Sequence, residues 1–554
     1  MLVLGVASLD ANSGIALLDG NSILAAIEEE KLNRSVAEES FPRLAMFRCL
    51  QQHGAKISDL DLTALADLPQ VARLRESGLG SQFSAARKRR AARDSRKSAT
   101  LRELRDHLNG VKFQHFEHHL SHAASTYYTS DFDRALILTL DGGAGSRCGQ
   151  ISLGEGDEIR PLRAMDFPDS LGWFYSRITA LLGLRPHRDE HKIQWLGRQG
   201  QPEYLPVFRK VFRRDSRGLP VLDRRYFAAG PNERGTFSPQ FYRELKIHKD
   251  KFREEPAICA ALARSAQLFL EESVLELAHR FQAHTGADSI CLAGGVFLNV
   301  LLVRALEKRG TFDRVHVQPV SGNAGTALGA GFLARKKMCG KSGRAALTTL
   351  ALGPEFTSHE VKAVLDNCKI IYRYMSGEDQ MIAEAANLLQ RDKIVAWCQG
   401  RTEYGHRALG NRSILASPFS EYVIDNINQF IKHREDFHPF ALSVPAERAA
   451  EFFDASPNCK FMASLATLKN SVPGLQQFAF NGTEVRVHTV EKDSNPGFWR
   501  LLHKFGESAP APILVNTSFN LFGEPLVSDP RGAVRSFYCA GIDALALGPF
   551  LVVK

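Results

Sequence analysis

The sequence contains no long apolar run and no closely spaced cysteines. None of its 554 residues belongs to an uncharged apolar stretch of about 18 or more, the length that a membrane-spanning helix requires. Its 9 cysteines include no CxxC pair, so neither a zinc site nor a disulfide framework is indicated. Strand-like sequence follows Met1 directly, without the charged segment and cleavage site of a secretion signal. We therefore expect a cytoplasmic protein that does not enter a membrane.

The most basic segment also lacks aromatic residues. The formal net charge is +9, and seven of the cations crowd into residues 87–97. Surfaces that bind nucleic acid commonly interleave such cations with aromatic side chains, which stack on bases. We interpret the segment as a solvated helix face or loop and expect no nucleic-acid partner. Attraction of an anionic small molecule is the alternative.

Length and element order favour an α/β protein with more than one domain. A chain of 554 residues exceeds the usual size of a single core. Apolar strands that end in glycine turns alternate with helical patterns, as in domains whose turns hold a ligand. We expect residues 1–340 and 349–554 to form two domains joined by a polar linker at residues 336–344. The arginine-rich, proline-punctuated stretch at residues 202–255 is predicted to be a surface insertion.

Two histidines one helical turn apart precede a strand that ends in a carboxylate. If the segment is helical, His118 and His122 lie on one face and both can reach a single metal ion. The following apolar run predicts a buried strand that ends at Asp141, next to Gly142 and Gly143, where a phosphate can approach the backbone. The alternative is a pair of ordinary histidines, which is the commoner case for an isolated pattern.

Two further glycine turns follow apolar strands in the same half. One contains Gly294 and Gly295, and the other contains Gly322 and Asn323. Asn299 lies about one helical turn after Gly295, where its amide would reach a phosphate or a ribose. A single glycine turn is weak, but three within one α/β domain favour nucleotide binding.

The second half contains a dense cationic motif. Residues 400–413 combine three arginines with three glycines after a predicted strand, with Arg407 near the centre. Lys432 and Arg434 follow, and Arg486 lies on an alternating strand. Guanidinium groups bind phosphate or carboxylate through paired hydrogen bonds, so an anion site is predicted. A solvated basic face is the alternative.

Near the C-terminus a predicted strand ends in a cluster of amides and hydroxyls. Asn516 and Ser518 belong to this cluster. It is either an ordinary turn at the end of a strand or a neutral hydrogen-bonding wall around a small polar group.

Together these motifs resemble the NodU/CmcH carbamoyltransferase family over nearly the whole chain. The matching segments are IEEEKLNR (27–34), HHLSHA (118–123), DGG (141–143), LAGGVFLN (292–299), GNAGTALGA (322–330), EYGHRALGNRSILA (403–416), IKHREDFHPFA (431–441) and VNTSFN (515–520). The resemblance implies an α/β protein with an actin-like ATPase N-terminal domain and a YrdC-like α/β C-terminal domain.

The resemblance also implies an activity, its substrates and its residues. We expect an ATP-dependent O-carbamoyltransferase that forms carbamoyl adenylate from carbamoyl phosphate and transfers the carbamoyl group to a small-molecule hydroxyl. ATP with magnesium and an iron-type divalent metal are the implied cofactors, and a homodimer is the default assembly. The implied metal ligands are His118, His122, Asp141 and Asn323. The implied catalytic residues are Arg407, Lys432, Arg434, Arg486 and His438. The implied nucleotide contacts are Asp141, Gly142, Gly143, Lys192, Gly294, Gly295, Asn299, Gly322, Asn323, Asn516 and Ser518.

The sequence departs from the family pattern at several of these positions. Asn323 stands where the family has aspartate, His406 where it favours proline, and His438 where it has arginine. The family's EYKVMGLAPYG reads EHKIQWLGRQG at residues 190–200 and keeps Lys192. The alternatives are therefore transfer to an amine, hydrolysis of carbamoyl phosphate and ATP without transfer, or nucleotide binding by a non-enzymatic sensor.

Overall fold

The computed structural model describes most of the chain. The described residues are 1–7, 12–36, 41–67, 103, 106–108, 110–144, 146–228, 237–249, 251–469, 472–480 and 482–554. The basic segment at residues 87–97 lies outside this set, so its interpretation as a solvated face stays a prediction.

The first sheet has five strands in the order β3-β2-β1-β4-β5. They are β1 (Leu2–Ala7), β2 (Gly14–Asp19), β3 (Ser22–Glu28), β4 (Leu62–Asp67) and β5 (Phe113–Glu117). The first three pair antiparallel, whereas β1, β4 and β5 run parallel. The predicted hairpin is confirmed, because Gly20 takes a positive φ of 50° in the turn between β2 and β3.

The second sheet repeats the same topology. Its strands are β6 (Arg134–Ala144), β7 (Arg147–Glu155) and β8 (Glu158–Asp166), then, after a separate hairpin of β9 (Phe212–Arg214) and β10 (Pro220–Leu222), β11 (Ser289–Ala293) and β12 (Arg314–Val317). The order is β12-β11-β6-β7-β8, with β6, β7 and β8 antiparallel and β6, β11 and β12 parallel. This duplicated arrangement defines an actin-like fold, so that prediction is confirmed.

Helices of the first region pack on these two sheets. They are Glu30–Asn33, Arg43–Gln52, His118–Tyr127, Leu171–Leu181, Glu190–Leu196, Leu205–Val211, Pro239–Leu245, Pro256–Thr285, Val300–Arg309 and Gly325–Cys339. The last of them approaches the His118–Tyr127 helix so closely that a Cβ at Gly329 would collide with the carbonyl oxygen of Ser121. Its small residues therefore let the histidine-bearing helix sit against it.

The predicted surface insertion at residues 202–255 is wrong for the part that the structure describes. Phe208 and Phe241 are fully buried, with ring centroids 6.0 Å apart. Phe174 packs edge-on against Phe208 at 5.5 Å. The described arginines of this stretch lie on its outer side, where Arg209 pairs with a carboxylate of the long Pro256–Thr285 helix. The apolar residues between the arginines thus form core, not surface.

The second region is built on one mixed sheet of ten strands. They are β13 (Arg373–Tyr374), β14 (Val395–Cys398), β15 (Arg412–Ala416), β16 (Ala441–Pro445), β17 (Phe453–Asp454), β18 (Ala466–Leu468), β19 (Glu484–Val490), β20 (Leu514–Ser518), β21 (Ala544–Leu547) and β22 (Phe550–Val553). Their order is β13-β22-β21-β14-β15-β20-β16-β19-β18-β17. The α-helices are Ser358–Asn367, Glu378–Gln390, Val423–Ile427, Ala449–Phe452, Pro496–Gly506 and Pro530–Tyr538. The predicted α/β class is confirmed in both regions.

The segment between the two regions packs against the first region. Its first residues belong to the Gly325–Cys339 helix, and Arg335 donates a hydrogen bond of 2.7 Å to the carbonyl oxygen of Ser342. The backbone N–H of Ser342 in turn donates to Asp157 at 2.7 Å. Residues 336–344 are therefore part of the first region and not a free linker. The domain limits at residues 340 and 349 stay a prediction. Within the described ranges, no helix has both the length and the apolar composition needed to cross a bilayer.

Candidate functional site

The first candidate site consists of His118, His122 and Asp141, here called the His–Asp cluster. The helix begins at His118 because the Glu117 carboxylate caps it, accepting the N–H of Leu120 at 2.6 Å. One oxygen of Asp141, on β6, lies 2.8 Å from His118 Nε2 and 3.0 Å from His122 Nε2. The structure therefore brings together three of the four predicted metal ligands, from a helix and the adjacent strand.

These three side chains fit a divalent metal. One ligand atom from each lies within 4.8 Å of the others. Two ligands about 2.1 Å from an ion and at right angles are about 3.0 Å apart, which matches the spacing of the two imidazoles from the carboxylate. His122 is fully buried, and neither of its ring nitrogens, including the Nε2 that faces Asp141, makes a hydrogen bond in the described part of the chain. Such a group is consistent with a ligand site.

The protonation states also suit a metal. Burial raises the pKa of Asp141, but the contacts with His122 and His118 outweigh it and hold the pKa well below its usual value. Burial lowers the pKa of His122. We favour a carboxylate facing neutral imidazoles, because a fully enclosed ring resists charging. Carboxylate and neutral imidazole are the forms that coordinate metals.

The three glycine turns lie side by side. Gly295 donates its N–H to the second oxygen of Asp141 at 2.5 Å, and Gly294 donates to the carbonyl oxygen of Ser321 at 2.9 Å. Gly294 has a φ of 98°, and a Cβ there would collide with the backbone of Leu140. A glycine is therefore required for β11 to end against β6.

The two asparagines of these turns lie in different settings. Asn299 is 5% exposed, caps the Val300–Arg309 helix through Leu302 N, and pairs with Gln267 at 2.8 Å. Its amide is thus engaged in the interior. Asn323 lies in the turn before the Gly325–Cys339 helix and accepts the N–H of Thr326 through its carbonyl oxygen at 2.9 Å. Its part in a metal site stays a prediction.

The second candidate site is a group of arginines, Arg407, Arg434 and Arg486, here called the cationic cluster. Arg407 lies in the loop between β14 and β15, Arg434 precedes β16, and Arg486 is on β19, which pairs with β16. Burial is the largest cause that lowers the pKa of Arg407 and of Arg434, and the charge of Arg486 is the second largest. The fold therefore gathers these predicted cations into one positive region.

Only one arginine of the 400–413 motif is available to a ligand. Arg401 donates to the carbonyl oxygens of Leu352 and Leu24 at 2.5 and 2.9 Å. Arg412 donates to the carbonyl oxygens of residues 399 and 400, both at 2.9 Å. No acceptor among the described residues pairs with the guanidinium of Arg407. Two of the three arginines thus stabilise the fold, and Arg407 remains for binding.

The described groups around Arg434 and Arg486 leave them only partly satisfied. Arg434 Nε donates to Asn428 at 2.9 Å, but its Nη2 has no partner there. Arg486 Nε is likewise unpaired, and its guanidinium lies 5.6 Å from the ring centroid of Trp195. Burial lowers the pKa of each to about 10, which still leaves both charged at neutral pH. Unneutralised cations of this kind suit an anionic ligand.

Lys432 is held by the turn that follows β20. Its ammonium lies 2.6 Å from Asn520 Oδ1 and 3.2 Å from Ser518 Oγ. The nearby Asn516 amide donates to Ser443 Oγ at 3.0 Å and to the carbonyl oxygen of Ala408 at 3.2 Å. Lys432, Ser518 and Asn516 therefore shape one wall beside the Arg407 loop. The Lys432 ammonium, the Ser518 hydroxyl and the Asn516 amide nitrogen have protein partners, whereas Asn516 Oδ1 has none among the described residues.

The first region contributes directly to this second site. Lys192 forms an ion pair of 2.7 Å with Glu435, and the rings of His191 and His438 lie 5.2 Å apart. Lys192 was predicted to contact nucleotide, and the structure places it beside the IKHREDFHPFA segment. Trp195 was missed, although its spacing of four from His191 puts both on one face of the Glu190–Leu196 helix.

A second contribution from the first region was also missed. The ammonium of Lys31 donates to the carbonyl oxygens of Glu403 and Gly405 at 2.6 and 2.5 Å and pairs with Glu28 at 2.7 Å. Glu28 accepts the N–H of Gly405 at 2.7 Å. Lys31 is only 2% exposed. The charged residues after the first hairpin therefore hold the loop that carries Arg407. The run of charged residues that follows an apolar strand in the sequence could have indicated this contact.

Two family models match this chain in succession. The model described as Carbamoyltransferase N-terminus matches residues 2–332, and the one described as Carbamoyltransferase C-terminus matches residues 386–554. Nodulation protein NolO of Bradyrhizobium diazoefficiens is 32% identical over 448 residues, which are 79% of this chain and 78% of that protein. Nodulation protein NolNO of Sinorhizobium fredii is 31% identical over 526 residues, which are 93% of this chain and 74% of that protein.

One solved structure shows a distant likeness. Component A of the Acidaminococcus fermentans (R)-2-hydroxyglutaryl-CoA dehydratase covers 61% of this chain and 98% of its own, with 14% identity and a TM-score of 0.34. Because that score is low, the fold assignment depends on the duplicated strand order and not on this likeness.

Proposed function

Because the chain belongs to the carbamoyltransferase family, we propose that it is an ATP-dependent enzyme that forms carbamoyl adenylate and transfers the carbamoyl group to a hydroxyl of a small molecule. Carbamoyl phosphate is the proposed donor, and a sugar or natural product the proposed acceptor. The observation that carries the proposal is the presence of two chemically different sites, an anion site and a metal-type site, in one chain.

The cationic cluster suits the first half of the reaction. Water releases phosphate from carbamoyl phosphate, and an oxygen of the resulting carbamate attacks the α-phosphorus of ATP. The bond from that phosphorus to the bridging oxygen breaks, and pyrophosphate leaves with its electron pair. Arg407 and Arg486 would offset the negative charge that the leaving group acquires, which their mutual proximity supports. Arg407 has the larger role, because no described group already uses its guanidinium.

The His–Asp cluster suits the second half. An acceptor hydroxyl oxygen attacks the carbonyl carbon of the adenylate, its proton is lost, and AMP leaves as the carbon–oxygen bond to its phosphate breaks. His118, His122 and Asp141 would hold an iron-type divalent metal, which supplies Lewis acidity at phosphate oxygens. The N–H of Gly295 and the backbone at Gly142 and Gly143 would orient the phosphate beside it. Magnesium would accompany ATP at the other site.

The test separates the two halves. Purified protein is incubated with carbamoyl phosphate, ATP and magnesium, and pyrophosphate is measured with and without a panel of sugar and natural-product acceptors. We expect pyrophosphate only when carbamoyl phosphate is present, and a carbamate ester in the acceptor product by mass spectrometry. Pyrophosphate no higher than in boiled protein would refute the adenylate step. A carbamoyl group on nitrogen would replace the hydroxyl acceptor with an amine.

A further inference from the structure

One buried hydrogen-bond acceptor beside the cationic cluster has no donor. Asn516 is only 2% exposed, yet its Oδ1 makes no hydrogen bond to any residue that the structure describes. Buried polar atoms are nearly always hydrogen-bonded, because an unpaired one keeps the cost of losing its water. An unpaired oxygen next to a predicted binding site is consistent with a donor that the ligand supplies.

The orientation of the Asn516 amide follows from its other contacts. Its Nδ2 lies 3.2 Å from the carbonyl oxygen of Ala408 and 3.0 Å from Ser443 Oγ. A carbonyl oxygen can only accept, so the amide nitrogen and not the amide oxygen must face Ala408. Ser443 Oγ can accept from Asn516 while its own hydrogen is donated to His488 Nδ1, which lies 3.1 Å away. The amide therefore cannot turn over to use its oxygen, and Oδ1 remains available.

The sheet places this amide in one row with Arg486. Asn516 on β20 pairs with Ala441 on β16, and Ala441 pairs in turn with Arg486 on β19. Residues that pair across neighbouring strands project from the same face of a sheet. Since neighbouring strands are about 4.8 Å apart, the Cα atoms of Asn516 and Arg486 are separated by roughly 10 Å. The residue between them in this row carries only a methyl group, so the row leaves a gap between the amide and the guanidinium.

The loop that carries Arg407 borders the same gap. The carbonyl oxygen that Asn516 holds belongs to Ala408, the residue directly after Arg407. A ligand that lies between Asn516 and Arg486 therefore also lies beside the Arg407 loop. The gap joins two of the predicted cations to the one neutral acceptor described above.

A ligand that fits this gap has an anionic group at one end and an N–H donor at the other. Guanidinium groups bind phosphate, and the free amide oxygen accepts a hydrogen bond. Glu403 and Glu435 also have an oxygen without a hydrogen bond, but their negative charge would repel a phosphate. Carbamoyl phosphate has the required pattern, because its NH₂ group can only donate. Acetyl phosphate carries a methyl group in the same place.

We infer that Asn516 Oδ1 accepts a hydrogen bond from the carbamoyl NH₂ group, and that this contact selects carbamoyl phosphate over acyl phosphates of the same shape. The inference rests on the proposed function for the identity of the donor substrate. An acyl phosphate would cover Oδ1 without supplying a donor. A site that hydrogen-bonds a substrate N–H rejects analogues that lack it for this reason. Asn516 is thereby assigned to donor specificity, where the family resemblance implies a nucleotide contact.

Two stable phosphonates test this contact. Phosphonoacetamide and 2-oxopropylphosphonate are nearly equal in size and charge and differ by an NH₂ group against a methyl group. Their affinities for the purified protein are measured by calorimetry at one pH and one salt concentration. We expect phosphonoacetamide to bind about tenfold or more tightly than 2-oxopropylphosphonate. Equal affinities, or no binding of phosphonoacetamide, would overturn the inference.

The Asn516→Leu variant tests whether the amide causes this preference. Leucine has a similar volume but no acceptor, so the variant should bind the two phosphonates with similar affinity. Loss of packing or of the contact with Ala408 would weaken both alike and would leave their ratio unchanged. If this variant does not fold, Asn516→Thr keeps a hydroxyl that can donate to Ala408 and should also lose the preference. A parental ratio in the variant that folds would overturn the inference.

An exposed asparagine provides the matched control. Asn426 lies on the Val423–Ile427 helix with its side chain exposed. The Asn426→Leu variant makes the same chemical change away from the gap and should keep the parental ratio of the two affinities.

The outcomes separate this inference from the proposed reaction. A protein that prefers phosphonoacetamide through Asn516 but forms no pyrophosphate would keep the donor site and reject the adenylate step. A protein that forms a carbamate ester but binds the two phosphonates equally would reject only the role of Asn516.

Discussion

The His–Asp cluster and the cationic cluster deal with charge in opposite ways. In the first, one carboxylate contacts two neutral imidazoles at 2.8 and 3.0 Å, so its negative charge is left uncompensated. In the second, the guanidinium groups of Arg407, Arg434 and Arg486 keep unpaired N–H groups among the described residues. A site with an uncompensated carboxylate suits a metal cation, and a site with uncompensated arginines suits an incoming anion.

The two clusters also differ in how they are assembled. The His–Asp cluster is made by one helix, the strand after it and two neighbouring turns of the same sheet. The cationic cluster needs both regions, since Lys31, Lys192 and Trp195 come from the first. The anion site therefore depends on how the two regions dock, whereas the metal-type site does not. The predictions below probe that difference.

Arg407→Ala should break the anion site alone and has the largest expected effect. Pyrophosphate formation should fall about 100-fold or more, since the missing charge would stabilise a leaving group in a partly buried site. Metal content should stay unchanged. The matched control is Arg448→Ala, a surface arginine that pairs with Glu451, which should keep its rate. A parental rate for Arg407→Ala would remove that residue from the site.

Asp141→Asn should break the metal-type site alone. A neutral amide supplies no negative charge to a divalent ion, so bound metal and carbamoyl transfer should both fall, transfer by about 100-fold. Pyrophosphate formation should continue, because the cationic cluster is untouched. Metal analysis and product analysis check this, with the exposed Asp131→Asn as control. Equal loss of both half-reactions would show that the two sites are not separable.

Lys31→Met should weaken the docking on which the cationic cluster depends. Removing one partner of a buried ion pair costs about 3–5 kcal/mol, because the other charge is left unpaired. The affected carboxylate is Glu28, which the double variant Lys31→Met and Glu28→Gln should relieve in part. Chemical denaturation measures both. Lys362→Met, from an exposed pair with Asp366, should change stability by less than about 1 kcal/mol. A similar small loss for Lys31→Met would contradict the proposed role.

Asn323→Asp should raise the metal affinity of the metal-type site and has the smallest expected effect. A carboxylate next to the glycine turn adds a charged oxygen ligand of the kind that hard divalent ions prefer. We expect a several-fold rise in metal affinity, measured by competition with a chelator, and little change in pyrophosphate formation. Equal metal affinity in the two proteins would mean that this position does not reach the ion.

The local patterns predicted much of the first region. The turn after Asp19, the strand that carries Asp141, and the helical spacing of His118 and His122 all depend on residues near one another in the chain. These predictions hold in the folded protein because hydrogen bonds within one helix or one hairpin determine such local elements. The prediction of a surface insertion at residues 202–255 is wrong because burial there depends on non-local contacts. Phe208 and Phe241 pack against each other, and Phe208 also packs against Phe174.

The roles of individual cations were less predictable. Arg401, Arg407 and Arg412 cannot be distinguished by sequence pattern. In the structure Arg401 and Arg412 donate hydrogen bonds to backbone carbonyl oxygens, whereas Arg407 does not. Lys432 looked like a free cation, and Asn520 holds its ammonium at 2.6 Å. Hydrogen-bond partners that come from other strands decide these outcomes. The catalytic roles of these residues stay predictions that the variants above address.

The sequence by itself determined the α/β class, the family and the positions of the chemically active motifs, because each depends on patterns of residues that are close together in the chain. Only the tertiary structure decided which region completes which site. Lys31 reaches a loop 372 residues later, and His191 meets His438 across the boundary between the regions. Contacts of that range depend on packing of whole sheets against each other, and no periodicity in the chain reports them.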